Sequence, residues 1–144
     1  MEPLVPWHTH AATVLVVHMI GSTRNRAPWL DPRLDAWLAA LLEQKARALD
    51  CLLMAVGSAD DHVHVVVRHP PRVSVAQIAH RLEGASSRSL HLTLPQTHGD
   101  LWQVGYWAES VTPTALDPLL VYVSGQRAHH SGHSCYEPWE TSRP

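Results

Sequence analysis

Four side chains of this 144-residue chain have the types and spacing of a phosphate-handling centre. His62 and His64 lie in the run Asp61-His62-Val63-His64-Val65-Val66-Val67, and Tyr122 and Gln126 follow near the C-terminal end. A β-strand alternates its side chains between faces, so His62 and His64 point the same way, about 6–7 Å apart. Two imidazoles at that separation can pinch one divalent metal ion. A helix brings residues four apart onto one face, so Tyr122 and Gln126 would project together. A tyrosine hydroxyl beside a metal that polarises a phosphate is the chemistry of a nuclease that forms a covalent DNA adduct.

The histidine pair needs its context, because the pattern alone is cheap. With 12 histidines in 144 residues, composition yields roughly one His-x-His by chance. The chain holds two, the other being His8-Thr9-His10. His62 and His64, however, sit in an alternating β-branched run entered through Asp60-Asp61 and stopped by Pro70-Pro71. That is a short strand with one metal-competent face. His129, His130, His133 and Cys135 match the spacing of no zinc module.

Composition bounds the rest. The length fits one domain over residues 1–144, and 45% apolar residues supply a core and argue against wholesale disorder. Cys51 and Cys135 form no disulfide or zinc framework, and Cys51 reads as a small core residue. The start lacks positive charge, and the run 11–17 is too short for a signal peptide or a membrane span, so the expected location is cytoplasmic. The formal charge of −2 runs against the basic footprint usual for nucleic-acid enzymes. Of 11 basic residues only Lys45 is a lysine, and the arginines gather loosely at Arg24/Arg26 and at Arg68, Arg72, Arg81 and Arg88.

The elements that must position these groups follow from local patterns. Residues 11–19 read as a buried first strand and 21–28 as a loop. Asp31-Pro32 supplies a cap and an N1 proline for an amphipathic helix reaching Leu49. Strands are predicted at 51–56, 62–68 and 101–108. Ser74 and Gln77 have capping-box form for a helix running towards Leu90. Asp117-Pro118 is predicted to open a last helix through Tyr122 and Gln126, with a loosely wrapped tail over 131–144. The order β-α-β-β-α-β is the ferredoxin-like split βαβ arrangement of the α+β class. It predicts an antiparallel sheet with helices on one face, the histidine pair on the open face, and a trailing tyrosine-bearing helix. Trp29 and Trp37 are expected to pack the first helix on the sheet.

On these residues the chain resembles the tyrosine–HUH transposases of the IS200/IS605 type and their relatives associated with repetitive extragenic palindromes. Asp61–Val67 is similar to that family's His-hydrophobic-His strand, and Arg81-Leu82-Glu83-Gly84-Ala85-Ser86-Ser87-Arg88 to its second-helix segment ending in Ser-Ser-Arg. Trp102-Gln103-Val104-Gly105-Tyr106-Trp107 resembles its Trp-x-x-Gly-Tyr strand, and Tyr122 to His130 its tyrosine helix. The resemblance implies that Tyr122 is the nucleophile of a single-strand DNA endonuclease and strand transferase, leaving a 5′-phosphotyrosine and a free 3′-hydroxyl. It implies Mg or Mn held by His62, His64 and Gln126, hairpin-ended single-stranded DNA as partner, a homodimer, and a bacterial or archaeal cytoplasm. DNA contacts are expected from Arg81, Ser86, Ser87, Arg88, Arg24 and Arg26. Two positions depart from the pattern: Glu83, where the family often has lysine, and Gly125, inside the tyrosine helix. Two other functions share this fold, a non-catalytic hairpin-binding protein and a metal-dependent phosphohydrolase with a water nucleophile.

Overall fold

The computed structural model describes residues 12–93 and 101–140. Four strands form one sheet: β1 (Val16–Ser22), β2 (Leu52–Ser58), β3 (His62–Arg68) and β4 (Trp107–Ser110). The order is β2-β3-β1-β4, and every neighbouring pair is antiparallel. Because β3 lies between β1 and β2, the β1–β2 connection through α1 (Asp35–Ala48) is a split βαβ unit, and α2 (Val75–Thr93) repeats the move from β3 to β4. This is the ferredoxin-like arrangement expected from the order of elements.

Alternation along the strands divides the core in two. Val17, Met19, Val63, Val65 and Val67 point to the face covered by α1 and α2, where they meet Leu38, Leu42, Ile78 and Leu82. Trp29 and Trp37 pack against this cluster. Val16, Ala55 and Val66 point the other way, onto Leu116, Leu119 and Val123 of α3 (Pro113–Ser124). His18, His62 and His64 share that second parity. Their face is therefore not open, as the sequence suggested, but covered: α3 and the short α4 (Gln126–Ser131) lie across it.

Several boundaries moved for identifiable reasons. The Asp31 carboxylate caps Arg33 N–H at 2.8 Å, but Pro32–Leu34 form a 3-10 turn before α1 begins. Ser74 and Gln77 make the reciprocal capping box, with contacts of 2.8 and 3.1 Å. The first strand starts at Val16, whose partner Arg68 ends β3 just ahead of the two prolines; Ala11 lies outside the described residues. The fourth strand is short and late because Gly105 takes φ 89° and breaks the extended run, leaving Trp102 in an isolated bridge to Thr23. The last helix begins at Pro113, so Pro118 lies inside it, and Gly125 ends it before Gln126. Among the described residues no helix is long and apolar enough to cross a membrane.

Candidate metal and tyrosine site

The site is built outwards from β3. His62 and His64 are both essentially buried, at 2% and 0% exposure, so a ring nitrogen left without a partner is costly. His62 Nδ1 is 2.8 Å from the Asp61 carboxylate, so Nδ1–H donates and Nε2 is the ring nitrogen turned to the site. That Nε2 is buried without a hydrogen bond of good geometry, and it is the orphan a cation would satisfy. His64 Nδ1 is 2.9 Å from Nε2 of His18, a residue of β1. Both histidines thus have the outer partner that orients a metal-binding imidazole.

The opposite wall comes from the C-terminal helices. Tyr122 lies in the last turn of α3 and Gln126 starts α4, so a helical break separates two residues expected on one continuous helix. They still converge, because α3 sits very close to β2. A Cβ on Gly57 would lie 1.7 Å from the Val123 carbonyl oxygen, so only glycine admits this approach. The Tyr122 ring stacks on His129 at 4.3 Å, and Gln126 Oε1 is 3.1 Å from His130 Nε2.

Glu140 occupies the centre. Residues 131–140, expected as loose tail, fold back through the 3-10 turn Glu137–Trp139, and Trp139 packs edge-on to Tyr122 at 5.2 Å. The Glu140 carboxylate enters the site only 8% exposed. Its Oε1 is 3.4 Å from His62 Nε2, 3.3 Å from His64 Nε2 and 3.1 Å from His130 Nε2. Its Oε2 accepts the Tyr122 hydroxyl proton and, at 3.1 Å, the Gln126 amide. His62, His130 and Glu140 offer ligand atoms that all lie within 4.8 Å of one another. Sequence reasoning missed Glu140, which no motif marks, and gave His18 and His130 no role.

Charges in the site are tightly coupled. Burial raises the Glu140 carboxyl pKa, but the adjoining His62 and His64 imidazoles and the Tyr122 hydroxyl outweigh it, so the group is held well below the usual carboxylate range. Burial works against protonated His62, yet Glu140 and Asp61 raise it on balance; burial dominates at His64 and lowers it. Burial and the Glu140 carboxylate push Tyr122 up, so it stands as a neutral phenol. An anionic oxygen beside several imidazoles is a donor set that fits a divalent cation of intermediate hardness such as Mn²⁺.

The family model Transposase IS200 like matches residues 11–126, a span that contains the histidine strand, Tyr122 and Gln126. The chain belongs to this family. No curated protein matches the sequence with significance. Among solved structures, a protein of Deinococcus radiodurans R1 described as a transposase superposes with TM-score 0.68 at 22% identity, covering 85% of this chain and 98% of its own. A REP-associated tyrosine transposase bound to a REP hairpin superposes with TM-score 0.65 at 12% identity, covering 88% of this chain and 74% of its own. At these identities the two likenesses establish the fold.

The residues expected to touch DNA are dispersed over this IS200-like fold. Arg24 and Arg26 lie in an exposed turn after β1, and Arg26 pairs with Asp61 at 3.0 Å, beside His62. Arg81 and Arg88 are exposed on α2, across the sheet from the histidines. Ser86 is buried; its hydroxyl donates to Leu82 O at 2.6 Å and accepts Trp102 Nε1–H at 2.9 Å. Ser87 accepts Leu101 N–H at 3.3 Å. Glu83 is half-buried beside Gly21 and Trp102, and desolvation lifts its carboxyl to about 7.

Proposed function

We propose that this transposase cleaves and rejoins single-stranded DNA through Tyr122, at sites flanked by hairpins. The observation that carries the reading is convergence: the Tyr122 hydroxyl and the imidazoles of His62 and His64 meet on the two oxygens of one anion, the Glu140 carboxylate. The nucleophilic hydroxyl is thereby held beside the imidazoles that would bind a cation, the arrangement that attack on a metal-bound phosphate needs. The Tyr122 oxygen attacks phosphorus, the bond from phosphorus to the 3′-oxygen breaks, and the strand divides into a 5′-phosphotyrosine and a 3′-hydroxyl. The proton leaves Tyr122 and ends on the departing oxygen. Rejoining is the reverse attack by a 3′-hydroxyl, so no nucleotide cofactor is consumed.

The orphaned His62 Nε2, His64 Nε2 and Gln126 Oε1 are the groups that would hold Mg or Mn. Such a cation stabilises charge on the non-bridging phosphate oxygens. Asp61 and His18 keep the imidazoles aimed, and the docked Trp139 shields the tyrosine ring. The hairpin part of the reading draws support from the neighbour solved on a REP hairpin. A DNA substrate also places the protein in the cytoplasm, where a homodimer would engage two ends.

The test is a denaturing gel. Labelled single strands from the gene's flanks are incubated with Mn²⁺ and wild type, Tyr122→Phe or His64→Ala. A retarded covalent band confined to wild type with metal supports the transesterase. Cleavage that survives Tyr122→Phe replaces it with a water-dependent hydrolase. Binding without cleavage in any sample leaves a hairpin-binding protein.

A further inference from the structure

We propose that Glu140, delivered by the C-terminal turn, is a ligand of the divalent metal, and that His130 joins it. The proposal rests on the reading of His62 and His64 as metal ligands and extends their set. Donor atoms bonded at about 2.1 Å to Mg²⁺, Mn²⁺ or a similar cation stand roughly 3.0–3.4 Å apart along the edges of an octahedron or tetrahedron. Glu140 Oε1 lies 3.1, 3.3 and 3.4 Å from three imidazole Nε2 atoms, within that range each time. His62, His130 and Glu140 are also the residues whose ligand atoms group together among the described residues.

Chemistry supports the same assignment. Two imidazoles and a neutral amide carry no charge, whereas hard divalent cations are bound best by sets that include carboxylate oxygen. Glu140 supplies the missing anionic oxygen. Its placement is also secured from outside the set: Tyr122 and Gln126 hold Oε2, while Trp139 packs into the α3 core next to it in sequence. The C-terminal turn is thereby part of the metal centre, and through Oε2 the same residue fixes the nucleophilic hydroxyl beside it.

The experiment is Mn²⁺ binding by the full chain, followed by calorimetry and by loss of the free-ion EPR signal, with no DNA present. Wild type, Glu140→Gln, Glu140→Ala, His130→Ala and His62→Ala are compared, each checked by its melting curve. Glu140→Gln keeps the shape and removes the charge. The expected result is a loss of at least about 10-fold in affinity for both Glu140 variants and for His130→Ala. Unchanged binding in the Glu140 variants, with binding abolished in His62→Ala, overturns the proposal and leaves the histidine site standing. Tighter binding in those variants also overturns it, since the carboxylate would then be competing with the ion. A wild type that binds no Mn²⁺ removes the metal reading itself, and this proposal with it.

Discussion

His18 Nε2 lies 2.9 Å from His64 Nδ1, so an imidazole on β1 sets the ring that β3 presents to the site. The antiparallel register makes them diagonal neighbours: His18 faces Val66, two residues beyond His64 on the same side. The rings stack at 5.2 Å, and Trp107 closes the far edge of His18 at 5.0 Å. Burial first, and then the adjacent His64, lower His18 to about 3, so it stays neutral and can accept the Nδ1 proton of His64. His18→Ala should therefore lose about 10–100-fold in Mn²⁺ affinity while leaving His64 in place. The calorimetric titration checks it; unchanged affinity would make His18 a packing residue only.

The closeness of α3 to β2 gives a second expectation. Gly57→Ala places a methyl 1.7 Å from the Val123 carbonyl oxygen, and backbone must move to admit it. The cost should reach about 1–3 kcal/mol or more, as for other overpacked sites. Because Tyr122 and Gln126 flank the displaced segment, Mn²⁺-dependent adduct formation should fall even where the protein remains folded. Chemical denaturation and the gel assay, read together, test both halves.

What could be read from the chain was whatever local physics determines. β3 was expected at residues 62–68 and forms at His62–Arg68, because its alternation is fenced by acidic turn residues and by prolines. The capping box at Ser74 holds for the same reason. What failed depends on the left-handed backbone at Gly105, on the helix break at Gly125 and on tertiary docking. Glu140 belongs to the last class: nothing in a polar, proline-containing tail announces that Trp139 will anchor it beside Tyr122. His18 directly follows the apolar run 11–17, and its role needs the register with β3.

The neighbouring serines of α2 should behave differently. Ser86→Ala removes the acceptor of the buried Trp102 Nε1–H, and an unsatisfied donor there should cost about 1–3 kcal/mol. Ser87 is only partly buried and bonds the Leu101 amide at a longer 3.3 Å, so Ser87→Ala should change stability by less than about 1 kcal/mol. Urea denaturation of the two variants decides it. Equal losses would mean that the indole finds another partner.

Glu83 makes stability depend on pH in a direction that can be worked out. Its carboxyl is raised from 4.5 to about 7 in the folded chain by burial. Between those values the native state keeps a proton that the unfolded chain has released, so stability falls as pH rises through this window. Below it the group costs nothing. Glu83→Gln should then raise the melting temperature by a few degrees at pH 8 and leave it unchanged at pH 4. Allowing for the carboxyl's partial contact with water, the gain is roughly 1–2 kcal/mol. An equal gain at both pH values would point to packing instead.

Arg127 decides which chain's histidines a given Tyr122 should serve. Its guanidinium grips Asp35 at 2.7 and 2.8 Å, reaches Asp60 at 2.8 Å and donates to the Leu30 carbonyl. Those partners lie at the start of α1, in the β2–β3 turn and in the loop before α1, so α4 is fastened to the body of its own chain. A bidentate arginine of this kind is far harder to swap out than a single contact. Tyr122 should accordingly work with His62 and His64 of the same polypeptide. The check is to mix Tyr122→Phe with His62→Ala/His64→Ala, each inactive alone, in the DNA adduct assay. No adduct is expected from the mixture. Adduct appearing only on mixing would show the tyrosine helix crossing between subunits. Adding Arg127→Ala to both variants should make that crossing easier, and a larger signal there would locate the restraint at Arg127.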